Sequence, residues 1–151
     1  MAGMRALGRV VDVVFNPSGV DICLKDVSGI AYAVVSGSTA TTLTFVAKPS
    51  FGGSSTTWTP ANGFGQTNAV FTRTANTAAW VQNTASWASN ALTMPAANTQ
   101  FNYVDILVSQ LADTFDYINA TVAGTGATCP MAILYDLTVQ RKPQNLRIPS
   151  A

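Results

Sequence analysis

The chain of 151 residues has no histidine and no glutamate, and all seven of its acids are aspartates. Without histidine there is no Ser-His-Asp or Cys-His relay, because no imidazole can pass the proton. The commonest zinc ligand is gone too, and the two cysteines, Cys23 and Cys129, do not make a zinc site by themselves. Charge is scarce: 10% of the residues carry it, where soluble domains average about a quarter. The net charge of +1 provides no strong field toward nucleic acid or an anionic membrane. No stretch approaches the length of a transmembrane helix. Residues 1–8 hold no long apolar run, and Arg9 and Asp12 interrupt the apolar segment after them, so no secretory leader is expected. Both cysteines are then expected to be reduced thiols, buried as small hydrophobes; the sequence leaves a bond between them open. The glycines around Gly63 and Gly65 lack a phosphate-loop lysine, and no internal repeat is visible. No cofactor and no metal site is expected.

Apolar residues make up 48% of the chain, and Thr, Ser, Asn, Ala and Gly fill the place of the missing charges. A surface this poor in charge is a solubility risk for a free monomer. Burial against other subunits removes the risk; a monomer with a Thr/Ser/Asn surface is the alternative.

The apolar residues alternate with a period of two, the mark of a half-buried strand. Residues 10–15 place Val11, Val13 and Phe15 on one face. Asn16-Pro17-Ser18-Gly19 is a turn by its chemistry. Residues 20–25 set Val20, Ile22 and Leu24 against Asp21, Cys23 and Lys25, so the two segments read as a hairpin. Strands are also expected at residues 30–35 and at residues 41–47, where Leu43 and Phe45 oppose Thr42 and Thr44. From residue 48 to 68 glycine, proline and serine take over. A loop this long is uncommon in a compact domain and is often functional. It carries Phe51, Trp58 and Phe64, which either pack back on the body or anchor a neighbouring subunit.

Residues 69–74 read as a strand. Across residues 78–94, Trp80, Thr84, Trp87, Ala88 and Ala91 would share a helical face. No strong cap or charged face supports a helix, so two short strands are expected around residues 82–86. Residues 101–108 put Val104, Ile106 and Val108 on one face. Residues 115–122 come after an aspartate-rich bend, with Tyr117 placed as in a tyrosine corner. Asp113 and Asp116 could hold Ca²⁺ or simply cap that turn, and the lack of further oxygen ligands favours the cap. Trp58, Trp80 and Trp87 could stack on a sugar, or lie in the core or an interface.

Near the C-terminus Ile133, Tyr135, Leu137 and Val139 alternate with Asp136, Thr138 and Gln140. Arg141 and Lys142 then bring charge, and Pro143 cannot donate to a β ladder. Residues 141–151 hold three of the eight basic residues, Arg141, Lys142 and Arg147, together with the isolated apolar Leu146 and Ile148. Pro143 and Pro149 keep such a segment extended, with little entropy to lose on docking. The expected architecture is an all-β, antiparallel β-sandwich of jelly-roll or Ig-like type over residues 1–140, with an extended C-terminal arm over 141–151. Arg141, Lys142, Leu146, Arg147 and Ile148 are the arm's interface candidates. A frayed, solvated terminus is the alternative.

The stretch ILYDLTVQRKPQNL, with LADTFDYINATV and GRVVDVVFNPSGVDICLKDVSG upstream, resembles the decoration or minor capsid proteins of tailed-bacteriophage heads. The likeness covers roughly the first and last thirds of the chain and contains no catalytic motif. It implies a structural virion protein on the capsid surface, assembled in the host cytoplasm. Its partners would be the major capsid protein and further copies of itself, with no direct role for nucleic acid or membrane. A carbohydrate- or receptor-binding module on the virion surface is the other expectation. It would use the tryptophans and the loop of residues 48–68.

Overall fold

The computed structural model describes residues 12–36, 39–58, 70–73, 79–83, 86–94, 100–124 and 127–135. Twelve strands occur in chain order: β1 (Asp12–Phe15), β2 (Asp21–Cys23), β3 (Gly29–Ser36), β4 (Thr41–Lys48), β5 (Thr56–Thr57) and β6 (Val70–Arg73), then β7 (Val81–Asn83), β8 (Ser86–Ala88), β9 (Ala91–Met94), β10 (Gln100–Leu107), β11 (Tyr117–Ala123) and β12 (Ala127–Tyr135). A single 3-10 turn, Val108–Gln110, is the one helical element among the described residues. Among the described residues no helix is long and apolar enough to cross a membrane.

The strands form two antiparallel sheets, the expected β-sandwich. The front sheet runs β1-β12-β3-β10-β6-β7. The back sheet runs β2-β11-β4-β9-β8, and β5 also pairs with β4. The two partners of β4 divide its length: β9 takes Thr41 to Thr44 and β5 takes Val46 and Ala47.

Alternation selects what lies between the sheets. In β4 every second residue is buried, so Leu43, Phe45 and Ala47 face inward. Their register neighbours Val122, Ala120 and Ile118 on β11 point the same way. The front sheet answers with the row Val14, Ala132, Tyr32, Val104 and Val70. Phe45 joins the two layers. Its ring lies 5.3 Å from Tyr32, 6.0 Å from Trp58 and 5.7 Å from Trp87.

Several local expectations are corrected by this arrangement. Residues 10–25 are no hairpin, because β1 pairs with β12 in front and β2 with β11 behind. The turn between them has the chemistry expected, with Asn16 and Gly19 at positive φ, but it carries the chain from one sheet to the other. Asn16 N–H donates to the Pro130 carbonyl of the front sheet and Gly19 N–H to the Ala120 carbonyl of the back one. Ser18 Oγ then accepts from Val122 N–H. Of the loop expected over residues 48–68, the described residues 48–58 form a β4–β5 hairpin, turned by Gly52 at φ 66. Residues 81–94 hold three strands: β7 in the front sheet, and β8 and β9 as a hairpin in the back one. On β12 the buried side chains are Ala132 and Leu134. Ile133 and Tyr135, expected on the core face, lie half-buried on the outside. Both faces of that strand are apolar, so alternation alone does not set its phase. Cys23 is buried, but Cys129 is exposed at a register shift between Thr128 and Met131; both are free thiols.

Phe45 touches three aromatic side chains and is fully buried. Phe45→Ala should cost about 3–5 kcal/mol, as large-to-small core changes do. Urea unfolding followed by tryptophan fluorescence measures that loss.

Candidate interaction surface

A sandwich has two outer faces, and here they differ in kind. On the back sheet the outward positions include Thr42, Thr44, Thr93, Thr121, Asn119 and Lys48, with Val46, Ala91 and Tyr117 among them. On the front sheet they are mainly apolar. One row across it reads Phe15, Met131, Ala33, Tyr103 and Phe71. A second reads Val13, Ile133, Ala31 and Asp105, and a third Val35, Phe101 and Arg73. Phe15 is 77% exposed, Leu107 46% and Trp80 45%. A contiguous apolar face of this kind marks an interaction site, unlike scattered single hydrophobes.

The face has relief. Along β3 the outward positions are Gly29, Ala31 and Ala33, which are small, and then Val35. The flanking strands β12 and β10 carry the larger Met131 and Ile133 on one side and Tyr103 and Phe101 on the other, and Ala33 between them is 1% exposed. Beyond β10 the aromatic side chains interlock. Phe71 and Tyr103 stack at 5.0 Å, and Trp80 stands edge-on to Tyr103 at 5.1 Å and to Phe101 at 5.6 Å. The Arg73 guanidinium lies 5.9 Å from the Trp80 ring centroid, within cation–π range.

One end of β3 is strapped. The Tyr135 hydroxyl crosses above Gly29 and donates to Asp105 Oδ1 on β10. A Cβ on Gly29 would collide with that hydroxyl oxygen and fall 2.9 Å from the Ile106 carbonyl. Only glycine leaves room for the strap. The arrangement also gives the one carboxylate among the described side chains of this face a partner.

The back sheet keeps its charge in a different cluster. Lys48 Nζ lies 2.8 Å from Asp21 Oδ1 and 3.0 Å from Oδ2. Asn119 Nδ2 donates to Oδ1 at 2.6 Å, and Gly52 N–H to Oδ2 at 2.9 Å. Asp21 therefore ties β2, β11, β4 and the β4–β5 turn together. Burial raises its pKa, while the bonds from Lys48, Asn119 and Gly52 lower it and together prevail. This is a structural ion pair and no reaction centre: each carboxylate oxygen is already taken up by donors.

The candidates read from the sequence are dispersed. Trp58 is in the core at 6% exposure, its Nε1 donating to the Gln110 carbonyl, so it is no interface anchor. Phe51 is 56% exposed on the β4–β5 turn, edge-on to Tyr117. Phe64 lies outside the described residues, as do Arg141, Lys142, Leu146, Arg147 and Ile148. The three tryptophans share no surface: Trp58 and Trp87 flank Phe45, and Trp80 belongs to the outer front face. Asp113 and Asp116 are exposed on a turn closed by Phe115 N–H and the Ala112 carbonyl. No group of three metal-ligating side chains comes together among the described residues. Compared with known proteins, the chain matches no family model, no curated protein and no solved structure.

The sequence reasoning missed the front face itself. The signal was available: β1, β10 and β12 read VVF, FNYVDIL and MAILY, apolar at successive positions and not only at alternate ones. A strand apolar on both sides is covered on both sides.

The Asp21 cluster generates a pH prediction. A carboxyl with a depressed folded pKa stabilises fully above its unfolded value. That contribution fades as pH falls from about 4 through the folded pKa. Asp21→Ala should lower stability at neutral pH by about 1–3 kcal/mol, the cost of leaving buried donors unmatched. Thermal melts from pH 7 down to pH 2 should show the gap between the two proteins narrowing below pH 4. A gap that does not change with pH would contradict this assignment.

Proposed function

We propose that the chain is a structural subunit of a tailed-bacteriophage head that decorates or stabilises the capsid shell through subunit contacts. The observation that carries this reading is the apolar outer face of the front sheet, on which Val13, Phe15, Trp80 and Leu107 are exposed. The back of the same domain is dressed in threonine, and the whole chain is unusually poor in charge. The resemblance of its terminal stretches to head decoration and minor capsid proteins supplies the setting. In that setting the chain works by area and number. Each copy removes apolar surface from water, at roughly 25 cal/mol per Å². A protein that binds the assembled lattice and not its separate subunits stabilises the lattice by mass action. The partners are the major capsid protein and further copies of the chain, and the location is the capsid surface after assembly in the host cytoplasm. No reaction is assigned: the sequence has neither histidine nor glutamate, and the described aspartates form no catalytic constellation.

Residues 141–151 complete the proposal as a docking arm. Leu146 and Ile148 supply apolar anchors, and Arg141 and Arg147 supply donors for a neighbour's carboxylates. A second reading draws on the Trp80, Tyr103 and Phe101 cluster, whose exposed rings could stack on a sugar as part of a receptor-binding module. Glycan-array binding distinguishes the two.

The test is subunit-resolution imaging of the particles whose genome encodes this chain, paired with an occupancy assay. Truncation after Gln140 should leave a folded β domain and reduce occupancy on the shell several-fold. Unchanged occupancy would remove the arm from the account, and particles without density for the chain would remove the structural role.

A further inference from the structure

We infer that the β4–β5 turn is an acid-released latch, held shut by the Asp21 carboxylate while the sandwich beneath it stays folded. The inference is independent of the assembly reading and concerns the back of the domain.

The catch is built from donors alone. Lys48 Nζ, Asn119 Nδ2 and Gly52 N–H all converge on the Asp21 oxygens. A carboxylate can accept every one of them. A protonated carboxyl keeps one good acceptor oxygen, brings a donor of its own and loses the charge that draws the ammonium. All three bonds therefore weaken together in acid. Lys48 is the charged group that faces Asp21. Tyr117 and Cys23 are the titratable side chains on the neighbouring outward positions, and neither a phenol nor a thiol changes charge below neutral pH.

What each partner does next depends on what else holds it. The strands that carry Lys48 and Asn119, β4 and β11, are paired at seven successive positions. On their inner side Leu43, Phe45, Ala47, Ile118 and Ala120 are fully buried. The turn has no such hold. From residue 49 to residue 57 nothing is buried, and β5 meets β4 at two positions, Val46 with Thr57 and Ala47 with Thr56. The bond from Gly53 N–H to the Ser50 carbonyl lies within the turn itself. Its ties to the neighbouring strands are the Gly52 bond to Asp21 on β2 and the edge contact of Phe51 with Tyr117 on β11, at 6.4 Å. Segments with few buried contacts open locally, well before the domain unfolds.

Both ends of the segment are fixed. Lys48 belongs to the β4 ladder, and Trp58 is buried against Phe45 with its Nε1 donating to the Gln110 carbonyl. Residues 49–57 therefore open as a flap between two anchors, and opening carries Phe51 off Tyr117. Burial raises the pKa of Asp21 and its three bonds lower it to a net depression. The latch is thus shut above about pH 4 and opens as pH falls through the folded value.

Amide hydrogen exchange followed by NMR on the whole chain tests the inference, with rates converted to protection factors to remove the pH dependence of the chemistry. Gly52 reports on the latch. Phe45, whose N–H donates to the Asn90 carbonyl in the back sheet, reports on the body. Between about pH 6 and about pH 3, protection at Gly52 should fall about tenfold or more while protection at Phe45 holds. Asp21→Asn puts in place of the carboxylate an isostere that does not titrate and is itself a donor. In that variant Gly52 should be open at both pH values with Phe45 still protected. Protection of Gly52 that persists at the lower pH overturns the inference. So does its loss in one step with Phe45, which is global acid unfolding. A Gly52 that still responds to pH in Asp21→Asn places the sensor elsewhere and overturns it equally. If Asp21→Asn does not fold, the wild-type series decides alone.

Discussion

A two-layer sandwich buries one face of each sheet, and the front sheet of this protein is apolar on both. Val14, Tyr32, Val104 and Leu134 fill the core, while Phe15, Phe71, Tyr103 and Ile133 are left on the outside. Phe45 and its ring partners close the space between the sheets without the second set. Apolar surface that the fold does not use is surface available for association. The rest of the molecule fits that constraint. The back sheet is polar, the charged pair of Asp21 and Lys48 is turned inward upon itself, and Tyr135 occupies the carboxylate of Asp105.

The two polar clusters do different work. Asp21 gathers three donors from three segments and fixes the β4–β5 turn to the back sheet. Its partners neutralise it where it stands, so it holds shape and leaves no field. The Tyr135 hydroxyl does something similar on the front. It reaches Asp105 only because Gly29 has no side chain beneath it. A phenol laid over a glycine gives the carboxylate of Asp105 a hydrogen bond, which lets an acid sit on an apolar face at small cost.

The fold class was legible because alternation is strong in β4 and on one side of β10, and turn chemistry is plain at residues 16–19. Pairing was not legible. Residues 10–25 look like a hairpin because two strands flank a good turn, yet the Pro130 and Ala120 carbonyls that receive the turn's N–H groups come from opposite sheets. The phase of β12 was equally hidden, since both of its sides are apolar and only the bulge before Met131 sets which one faces inward. Of the candidate anchors, Trp58 was readable as an aromatic that packs on the body or anchors a neighbour; which of the two depends on Phe45, thirteen positions earlier and across a hairpin. The front face was hidden for a related reason: reading each strand for one buried side discards the other. The arm of residues 141–151 rests on its sequence alone.

The most direct measurement is hydroxyl-radical footprinting of the protein in its assembled state and after dilution to the dispersed chain. Phe15, Trp80 and Met131 report on the front face, and Phe51, exposed on the back-sheet turn, serves as the internal reference. The account predicts that labelling of the three front-face residues falls several-fold on assembly while Phe51 is unchanged. Equal labelling of Phe15, Trp80 and Met131 in both states would contradict it.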